Sequence, residues 1–198
     1  MKLETITNAS KVIPVVVIND IKQTHSMMAA LLEGGIPSAE ITLRTPCALD
    51  AIKYASANFP DMFVGAGTVI NADQAEAAIK AGACFIVSPG LSERVAEVCR
   101  KYDVPYIPGC VTPTEIMKAL ELGITTVKFF PANVYGGLSA IKALAAPFTQ
   151  VKFMPTGGVS YDNINEFLSF DKIAAVGGSF MMKGDIVANC KKLLEIIG

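Results

Sequence analysis

Eight short segments rich in β-branched, aromatic and other apolar residues alternate along this 198-residue chain with longer segments of helical period. Each short segment has glycine, proline or a polar residue at or next to its end, which is typical of β-strands. The intervening stretches, such as NADQAEAAIKAG and TPTEIMKALELG, carry apolar residues at helical spacing. The predicted strand segments are Val12–Ile18, Ala39–Thr45, Met62–Thr68, Cys84–Gly90, Val104–Gly109, Thr126–Ala132, Val151–Gly158 and Ile173–Phe180.

This alternation predicts parallel strands joined by right-handed crossovers, and eight such units favour a closed (β/α)8 TIM barrel of the α/β class. No linker-like stretch interrupts the chain, so we expect one domain over residues 1–198. The rival is an open doubly wound sheet, but Gly65-Ala66-Gly67 lacks the third glycine of a dinucleotide-binding loop. The chain is short for a barrel, which predicts tight connections and a brief terminal helix.

Composition excludes several classes of partner. A formal net charge of -1 with scattered Lys and Arg residues gives no basic surface for nucleic acid. The apolar run Val12–Ile18 is too short to span a membrane, and no cleavage site follows it. Five cysteines without a Cys-x-x-Cys pair fit a reducing compartment, so we expect a cytoplasmic protein.

Hydrophobic residues make up 52% of the chain, which favours a homo-oligomer.

The single histidine, His25, falls in a helical stretch and not at a strand end. A zinc site would lack ligand spacing, and a nucleophile–histidine pair would depend on this one residue. We therefore expect no metal, and we expect His25 to be a solvent-exposed helix residue.

Lys128 stands alone within the apolar segment TTVKFFPA. Strand alternation places Thr126, Lys128 and Phe130 on one face, and in a barrel that face is the interior. Because burying an unpaired ammonium is costly, a lysine in such a position is often a neutral amine, which is the nucleophile of Schiff-base chemistry. The alternative is that Lys128 only forms an ion pair with Glu40.

The segment AEITLRT places Glu40, Thr42 and Arg44 on the same interior face and turns Ile41 and Leu43 outward. Barrel interiors are normally filled by branched apolar side chains, so a polar row there indicates a site. Arg44 is suited to clamp a carboxylate, and Glu40, deeper in the barrel, is suited to general acid/base catalysis. A purely structural network of these charges is the alternative.

Two pairs of glycines follow the last two predicted strands. Thr156-Gly157-Gly158 and Gly177-Gly178-Ser179 lie where many barrels bind a phosphate with backbone N–H groups. Double glycine is also an ordinary tight-turn device. Both pairs together predict a phosphorylated substrate.

Six motifs occur in a specific order over nearly the whole chain: GGIPSAEITLRTPCALDAI, VGAGTVINADQA, FIVSPGL, IPGCVTPTEIMKALELG, VKFFPAN and FMPTGGVS. With these motifs the chain resembles the 2-keto-3-deoxy-6-phosphogluconate / 4-hydroxy-2-oxoglutarate aldolases, class I enzymes of the Entner–Doudoroff pathway and of hydroxyproline breakdown. Phe180 is a departure, since some members carry Trp there, and the carboxyl end is short.

The resemblance implies a cytoplasmic homotrimer of short barrels that needs neither metal nor cofactor. It implies Lys128 as the Schiff-base lysine and Glu40 as the proton-transfer group. The implied substrate-binding residues are Arg44, Thr68, Pro89 and Phe130 around the pyruvoyl group, and Thr156, Gly157, Gly158, Gly178 and Ser179 at the phosphate end.

The function expected from this resemblance is cleavage of a 2-keto acid to pyruvate and an aldehyde. The aldehyde is glyceraldehyde 3-phosphate or glyoxylate, depending on the substrate, and the 6-phosphogalactonate analogue is an alternative substrate. Two other classes stay open at this point. One is a phosphate-sugar isomerase or synthase in which Lys128 only pairs electrostatically, and the other is a catalytically silent binding module.

Overall fold

The computed structural model describes residues 2–198, which form eight parallel β-strands and nine α-helices in regular alternation after the first helix. The strands are β1 (Val12–Val16), β2 (Ser38–Thr42), β3 (Phe63–Gly67), β4 (Ile86–Val87), β5 (Tyr106–Ile107), β6 (Thr126–Phe129), β7 (Lys152–Pro155) and β8 (Val176–Gly178). The helices are α1 (Leu3–Ser10), α2 (Gln23–Glu33), α3 (Ala48–Asn58), α4 (Ala72–Lys80), α5 (Glu93–Lys101), α6 (Pro113–Glu121), α7 (Gly137–Ala145), α8 (Ile164–Leu168) and α9 (Ile186–Ile197), with a 3₁₀ helix over Phe180–Met182.

The strands close into a ring in sequence order. Six of them form one sheet in the order β5-β4-β3-β2-β1-β8, and β6 pairs with β7. Isolated parallel bridges join the two sheets, at Gly109 and Lys128 on one side and at Thr156 and Gly177 on the other. This arrangement confirms the predicted barrel and excludes the open sheet.

All eight strands are shorter than the predicted segments. The segment Val104–Gly109 forms only a two-residue strand, because Pro105 and Pro108 flank it and cannot donate a main-chain hydrogen bond. The segment Val151–Gly158 stops at Pro155, since Gly157 and Gly158 turn away with φ of 88° and 80°. The side-chain alternation that places residues inside or outside is unaffected by these differences.

The two chain ends differ from expectation. Helix α1 precedes β1 in a stretch where no helix was predicted, and its Ile6 packs into the apolar cluster at the amino-terminal end of the barrel. The terminal helix α9 has 12 residues and is not brief as predicted, because its buried Cys190 and Leu193 complete the outer layer. None of the helices within residues 2–198 is long and apolar enough to cross a membrane.

The barrel interior is divided into an apolar lower half and a polar upper half. The lower cluster contains Ile6, Ile13, Phe85, Val87, Ile107, Met154 and Ala175. Buried polar side chains lie toward the carboxyl ends of the strands and include Glu40, Thr42, Ser88, Lys128 and Thr156. The outward-facing strand residues pack against the helices in a separate, larger core.

Strand β3 leaves room in the interior for its neighbours. A Cβ atom on Gly65 would overlap the ring of Phe85, and one on Gly67 would overlap the carboxyl group of Glu40. Alternate glycines therefore let a large ring and an acidic side chain occupy the space that β3 side chains would otherwise fill.

Several helices begin at a side-chain cap directly after the loop that follows a strand. Asn71, Ser92 and Asp185 cap α4, α5 and α9, and Thr112 forms a capping box with Glu115 at the start of α6. These caps fix where the loops at the carboxyl ends of these strands end.

Candidate active site

A cavity of about 330 Å³ opens at the carboxyl ends of the strands, next to the polar half of the interior. Barrel enzymes build their sites on this face. The lining residues are Val15, Arg44, Lys128, Phe130, Thr156, Gly157, Gly158, Val159, Gly178, Ser179, Phe180 and Lys183.

Lys128 and Glu40 meet inside the barrel below this cavity. The ammonium nitrogen of Lys128 lies 3.6 Å from Oε1 of Glu40, and the two side chains are 5% and 0% exposed. Lys128 also lies 5.3 Å from the centre of the Phe130 ring, which forms part of the cavity wall. The predicted inward orientation of both residues is therefore observed, and so is the ion pair that was the alternative interpretation.

The surroundings of Glu40 favour its protonated form. Burial raises the pKa of the Glu40 carboxyl above its ordinary value, and the nearby charges of Lys128 and Arg44 oppose this rise without cancelling it. Neither carboxyl oxygen has a hydrogen-bond partner among the described residues. A carboxyl group next to an amine, with a pKa above its ordinary value, can accept and return a proton.

Arg44 follows β2 on the cavity rim, above the Lys128–Glu40 pair. Its Nη2 donates a hydrogen bond of 3.0 Å to Oγ1 of Thr68, which follows β3. Thr42 lies one pleat below Arg44, fully buried, and its hydroxyl has no partner in the described part of the chain. The predicted row of acid, hydroxyl and guanidinium thus runs up one wall of the barrel.

The glycine pairs form the opposite side of the cavity. Gly157 and Gly158 have positive φ, a conformation that other residues adopt with strain. Asn163 fixes this turn, because its Nδ2 donates to the carbonyl of Gly158 at 2.8 Å and its Oδ1 accepts from the amide of Ser160 at 2.9 Å. The loop thereby exposes main-chain groups to the cavity.

The cavity brings together eight of the eleven residues predicted for the site, namely Arg44, Lys128, Phe130, Thr156, Gly157, Gly158, Gly178 and Ser179. Glu40 lies beneath it against Lys128, and Thr68 joins it through Arg44. Pro89 is exposed after β4 and does not line the cavity.

Four residues that shape the site were not predicted from the sequence. Val15, Val159 and Lys183 line the cavity, and Gly67 leaves space for Glu40. Val15 and Val159 resemble ordinary apolar residues in the sequence, and Gly67 was considered only as part of a nucleotide-binding loop that is incomplete. Lys183 could have been found as the first charged residue after the second glycine pair.

Other chemistry-bearing groups lie elsewhere. His25 is exposed on α2 as predicted, with its Nδ1 3.2 Å from the Tyr54 hydroxyl. Burial raises the pKa of the Cys99 and Cys110 thiols to about 12 in each case. Among residues 2–198 no group of three or more His, Cys, Asp or Glu is placed to hold a metal ion.

A larger cleft of about 550 Å³ lies at the other end of the barrel, around Lys11, Ile173 and Gly198. None of the predicted site residues lines it. Parallel barrels place their chemistry at the carboxyl ends of the strands, so the smaller cavity is the candidate active site.

This site combines a buried amine, an adjacent carboxyl group with a raised pKa and a guanidinium at the rim. Such a set can bind a carboxylate, form an imine with the carbonyl next to it and move protons around that imine. These are the requirements of an enzyme that makes or breaks a carbon–carbon bond through a Schiff base.

Comparison with known proteins agrees with this class. The family model described as KDPG and KHG aldolase matches residues 3–195. A KHG/KDPG aldolase of Escherichia coli K12 is 40% identical over 182 residues, covering 92% of this chain and 85% of that protein.

Two solved structures superpose closely on the chain. The KDPG aldolase of Legionella pneumophila, with pyruvate captured as a covalent carbinolamine, has a TM-score of 0.91 at 38% identity and covers 100% of this chain and 97% of that one. The 2-keto-3-deoxy-6-phosphogluconate aldolase of Zymomonas mobilis ZM4 with 3-phosphoglycerate has the same TM-score and identity, with coverages of 98% and 93%. The chain belongs to the KDPG and KHG aldolase family, and it is a Schiff-base aldolase.

Proposed function

We propose that this chain cleaves 2-keto-3-deoxy-6-phosphogluconate to pyruvate and glyceraldehyde 3-phosphate, and 4-hydroxy-2-oxoglutarate to pyruvate and glyoxylate. The observation that carries the proposal is the buried contact between Lys128 and Glu40 at the floor of a cavity with Arg44 on its rim. The relatives described above are KDPG and KHG aldolases, and this supports the same class of substrate for this chain.

In the proposed reaction, Nζ of Lys128 attacks the C2 carbonyl, and loss of water leaves a protonated imine. Glu40 then accepts the proton of the C4 hydroxyl. The C3–C4 bond breaks, its electron pair moves to the imine to give an enamine, and the aldehyde departs. Glu40 returns the proton to C3, and water hydrolyses the imine to release pyruvate and the free amine.

The imine itself accepts the electron pair, so the proposed reaction needs neither metal nor cofactor. The raised pKa of Glu40 supports its role, because a carboxyl group that binds its proton more tightly than usual can hold it while the aldehyde leaves.

We propose Arg44, Thr68 and Pro89 as the residues that bind the pyruvoyl carboxylate, with Phe130 lining the wall. The hydrogen bond between Arg44 and Thr68 supports this assignment, whereas Pro89 rests on the family resemblance alone. The phosphate end is assigned to Thr156, Gly157, Gly158, Gly178 and Ser179. Their place in the same cavity as Lys128 supports this, as does the 3-phosphoglycerate named with the Zymomonas structure.

The proposed assembly is a homotrimer of single-domain barrels, each spanning residues 1–198, in the cytoplasm. An apolar cleft of about 340 Å³ between α3 and α4 supports an oligomer, with Leu43, Pro46 and Leu49 on its walls and the 64%-exposed Ile70 nearby. The five free cysteines support a reducing compartment. Analytical ultracentrifugation tests the trimer: Ile70→Asp is expected to give monomers if this surface is the interface.

Borohydride trapping tests the chemistry. Incubation with pyruvate and borohydride is expected to add one reduced pyruvoyl group to Lys128, located by mass spectrometry of peptides. Lys128→Met should abolish the adduct, and Lys53→Met, which changes an exposed lysine on α3, should not. No adduct in the parent protein at saturating pyruvate would overturn the aldolase mechanism.

A substrate panel separates the remaining possibilities. Pyruvate release is measured with the phosphorylated gluconate, the galactonate isomer and 4-hydroxy-2-oxoglutarate. Release from the first and third compounds is expected. An adduct without release from any of them would point to a binding module.

A further inference from the structure

The cavity is lined by three cationic side chains. Arg44, Lys128 and Lys183 line it, and no acidic residue does so within the part of the chain that the structure describes. Arg44 and Lys128 have proposed roles at the keto-acid end of the substrate, and the glycine pairs at the phosphate end supply only neutral groups. Lys183 has no assigned role, although a phosphate dianion requires charge compensation when it leaves water.

The fold places Lys183 apart from Arg44. Arg44 follows β2, and Lys183 follows the 3₁₀ helix Phe180–Met182 that comes after β8. Strand β1 lies between β2 and β8 in the sheet, so their ends are two strand spacings apart, about 10 Å. The two cations therefore approach the same cavity from different strand ends, as the two acidic ends of a phosphorylated keto acid require.

The backbone that carries Lys183 is held in place. Asn189 on α9 donates its Nδ2 to the carbonyl of Lys183 at 2.6 Å and to the carbonyl of Met181 at 3.1 Å. Asp185 caps α9 two residues later by accepting from the amide of Ala188 at 3.0 Å. The loop is thus fixed on both sides of Lys183.

The side chain itself is free to meet a ligand. Lys183 is exposed, and its ammonium forms no ion pair within residues 2–198. An unpaired cation at a cavity that also holds two glycine turns is available for an incoming anion.

We propose that Lys183 is a specificity-determining residue that binds the phosphate dianion and selects phosphorylated over unphosphorylated 2-keto acids. This inference rests on the proposed function, because it concerns the distal end of the same substrate. Ser179 and the glycine amides orient the phosphate, and Lys183 supplies the charge that distinguishes it from a neutral hydroxyl group.

The test compares kcat/KM for 2-keto-3-deoxy-6-phosphogluconate with kcat/KM for the same keto acid without phosphate. Lys183→Met is expected to lower the ratio of the two values by about tenfold, the effect of one charge-assisted hydrogen bond. Lys191→Met, which changes an exposed lysine on α9 outside the cavity, should leave the ratio unchanged. The urea midpoint of each variant verifies that it is folded.

A parallel fall of both kcat/KM values, or an unchanged ratio, would overturn the proposal. Ionic strength gives a second readout, because added salt screens an exposed ammonium. The ratio of the two kcat/KM values should decrease with added sodium chloride in the parent protein but not in Lys183→Met. An equal salt dependence of the two ratios would also overturn the proposal. If the parent protein releases no pyruvate from either compound, the proposed function has failed, which is a different result from a failure of Lys183.

Discussion

A Cβ atom on Gly67 would overlap the carboxyl group of Glu40. The two residues lie on adjacent strands of the barrel wall, where Gly67 pairs with Thr42 and Glu40 pairs with Gly65. The position of the proposed proton-transfer group therefore depends on a hydrogen atom in place of a side chain on the neighbouring strand.

Gly67→Ala is expected to displace Glu40 from Lys128 and to lower kcat while the lysine remains present. Overpacking at such a site costs about 1–3 kcal/mol of the free energy of unfolding. Gly90→Ala is the matched control, since a Cβ atom there meets nothing within 4 Å. Steady-state kinetics and urea denaturation check both. An unchanged kcat in Gly67→Ala would show that the carboxyl position is not critical.

Glu40 makes stability depend on pH. Its folded-state pKa lies above the ordinary value of 4.5, so its contribution is complete below 4.5 and is lost as the pH rises through the folded pKa. Glu40→Gln does not titrate. The stability of the parent relative to this variant should therefore fall with rising pH, by about 1.4 kcal/mol for each pH unit between the two pKa values.

Urea denaturation across this pH range measures that difference. Glu97→Gln, which removes an exposed carboxylate on α5, controls for net charge. A parent protein that gained stability over Glu40→Gln with rising pH would contradict the assigned direction.

Removing one member of the buried Lys128–Glu40 ion pair is expected to lower the free energy of unfolding more than removing both members does. Lys128→Met leaves the Glu40 carboxyl without its nearest cation, at a cost of about 3–5 kcal/mol where Glu40 is ionised. The double variant Lys128→Met/Glu40→Gln leaves no buried charge at this position. A double-mutant cycle measured by denaturation gives the coupling, and strictly additive effects would show that the two groups do not interact.

Arg44 should govern pyruvate affinity more than Thr68 does. Arg44→Met removes the rim guanidinium and is expected to raise the pyruvate concentration for half-maximal borohydride trapping by about tenfold. Thr68→Val removes only the hydroxyl that accepts from Arg44 and should have a smaller effect. The opposite order would indicate that Thr68, and not Arg44, binds the carboxylate.

The alternation of eight strand and helix segments was sufficient to predict the barrel. The period of two residues within a strand was sufficient to predict the inward positions of Glu40 and Lys128, because it decides which face each side chain takes. The short strands were not predictable in the same way. An apolar run flanked by proline or glycine predicts a strand along its whole length. The observed strand is shorter where proline removes a main-chain hydrogen-bond donor or glycine takes a conformation that cannot pair with a neighbouring strand.

The importance of Gly67 and Lys183 could not be predicted from local pattern. Gly67 matters because Glu40 of the adjacent strand needs its space, and Lys183 reaches the cavity only because β8 returns to pair with β1. Both depend on contacts between segments that are distant in sequence. Pattern within one segment carries no information about such contacts.

The bridges that close the barrel also determine how the amine and the carboxyl group are held relative to each other. Glu40 belongs to the continuous six-stranded ladder, whereas Lys128 belongs to the β6–β7 pair, which isolated bridges attach at its two margins. The 3.6 Å between them therefore spans the barrel interior between two separately paired groups of strands, whose relative position also depends on the packing of the helices outside. Residues of the outer core on the β6–β7 pair, such as Val127 and Phe153, can therefore alter reactivity without touching substrate.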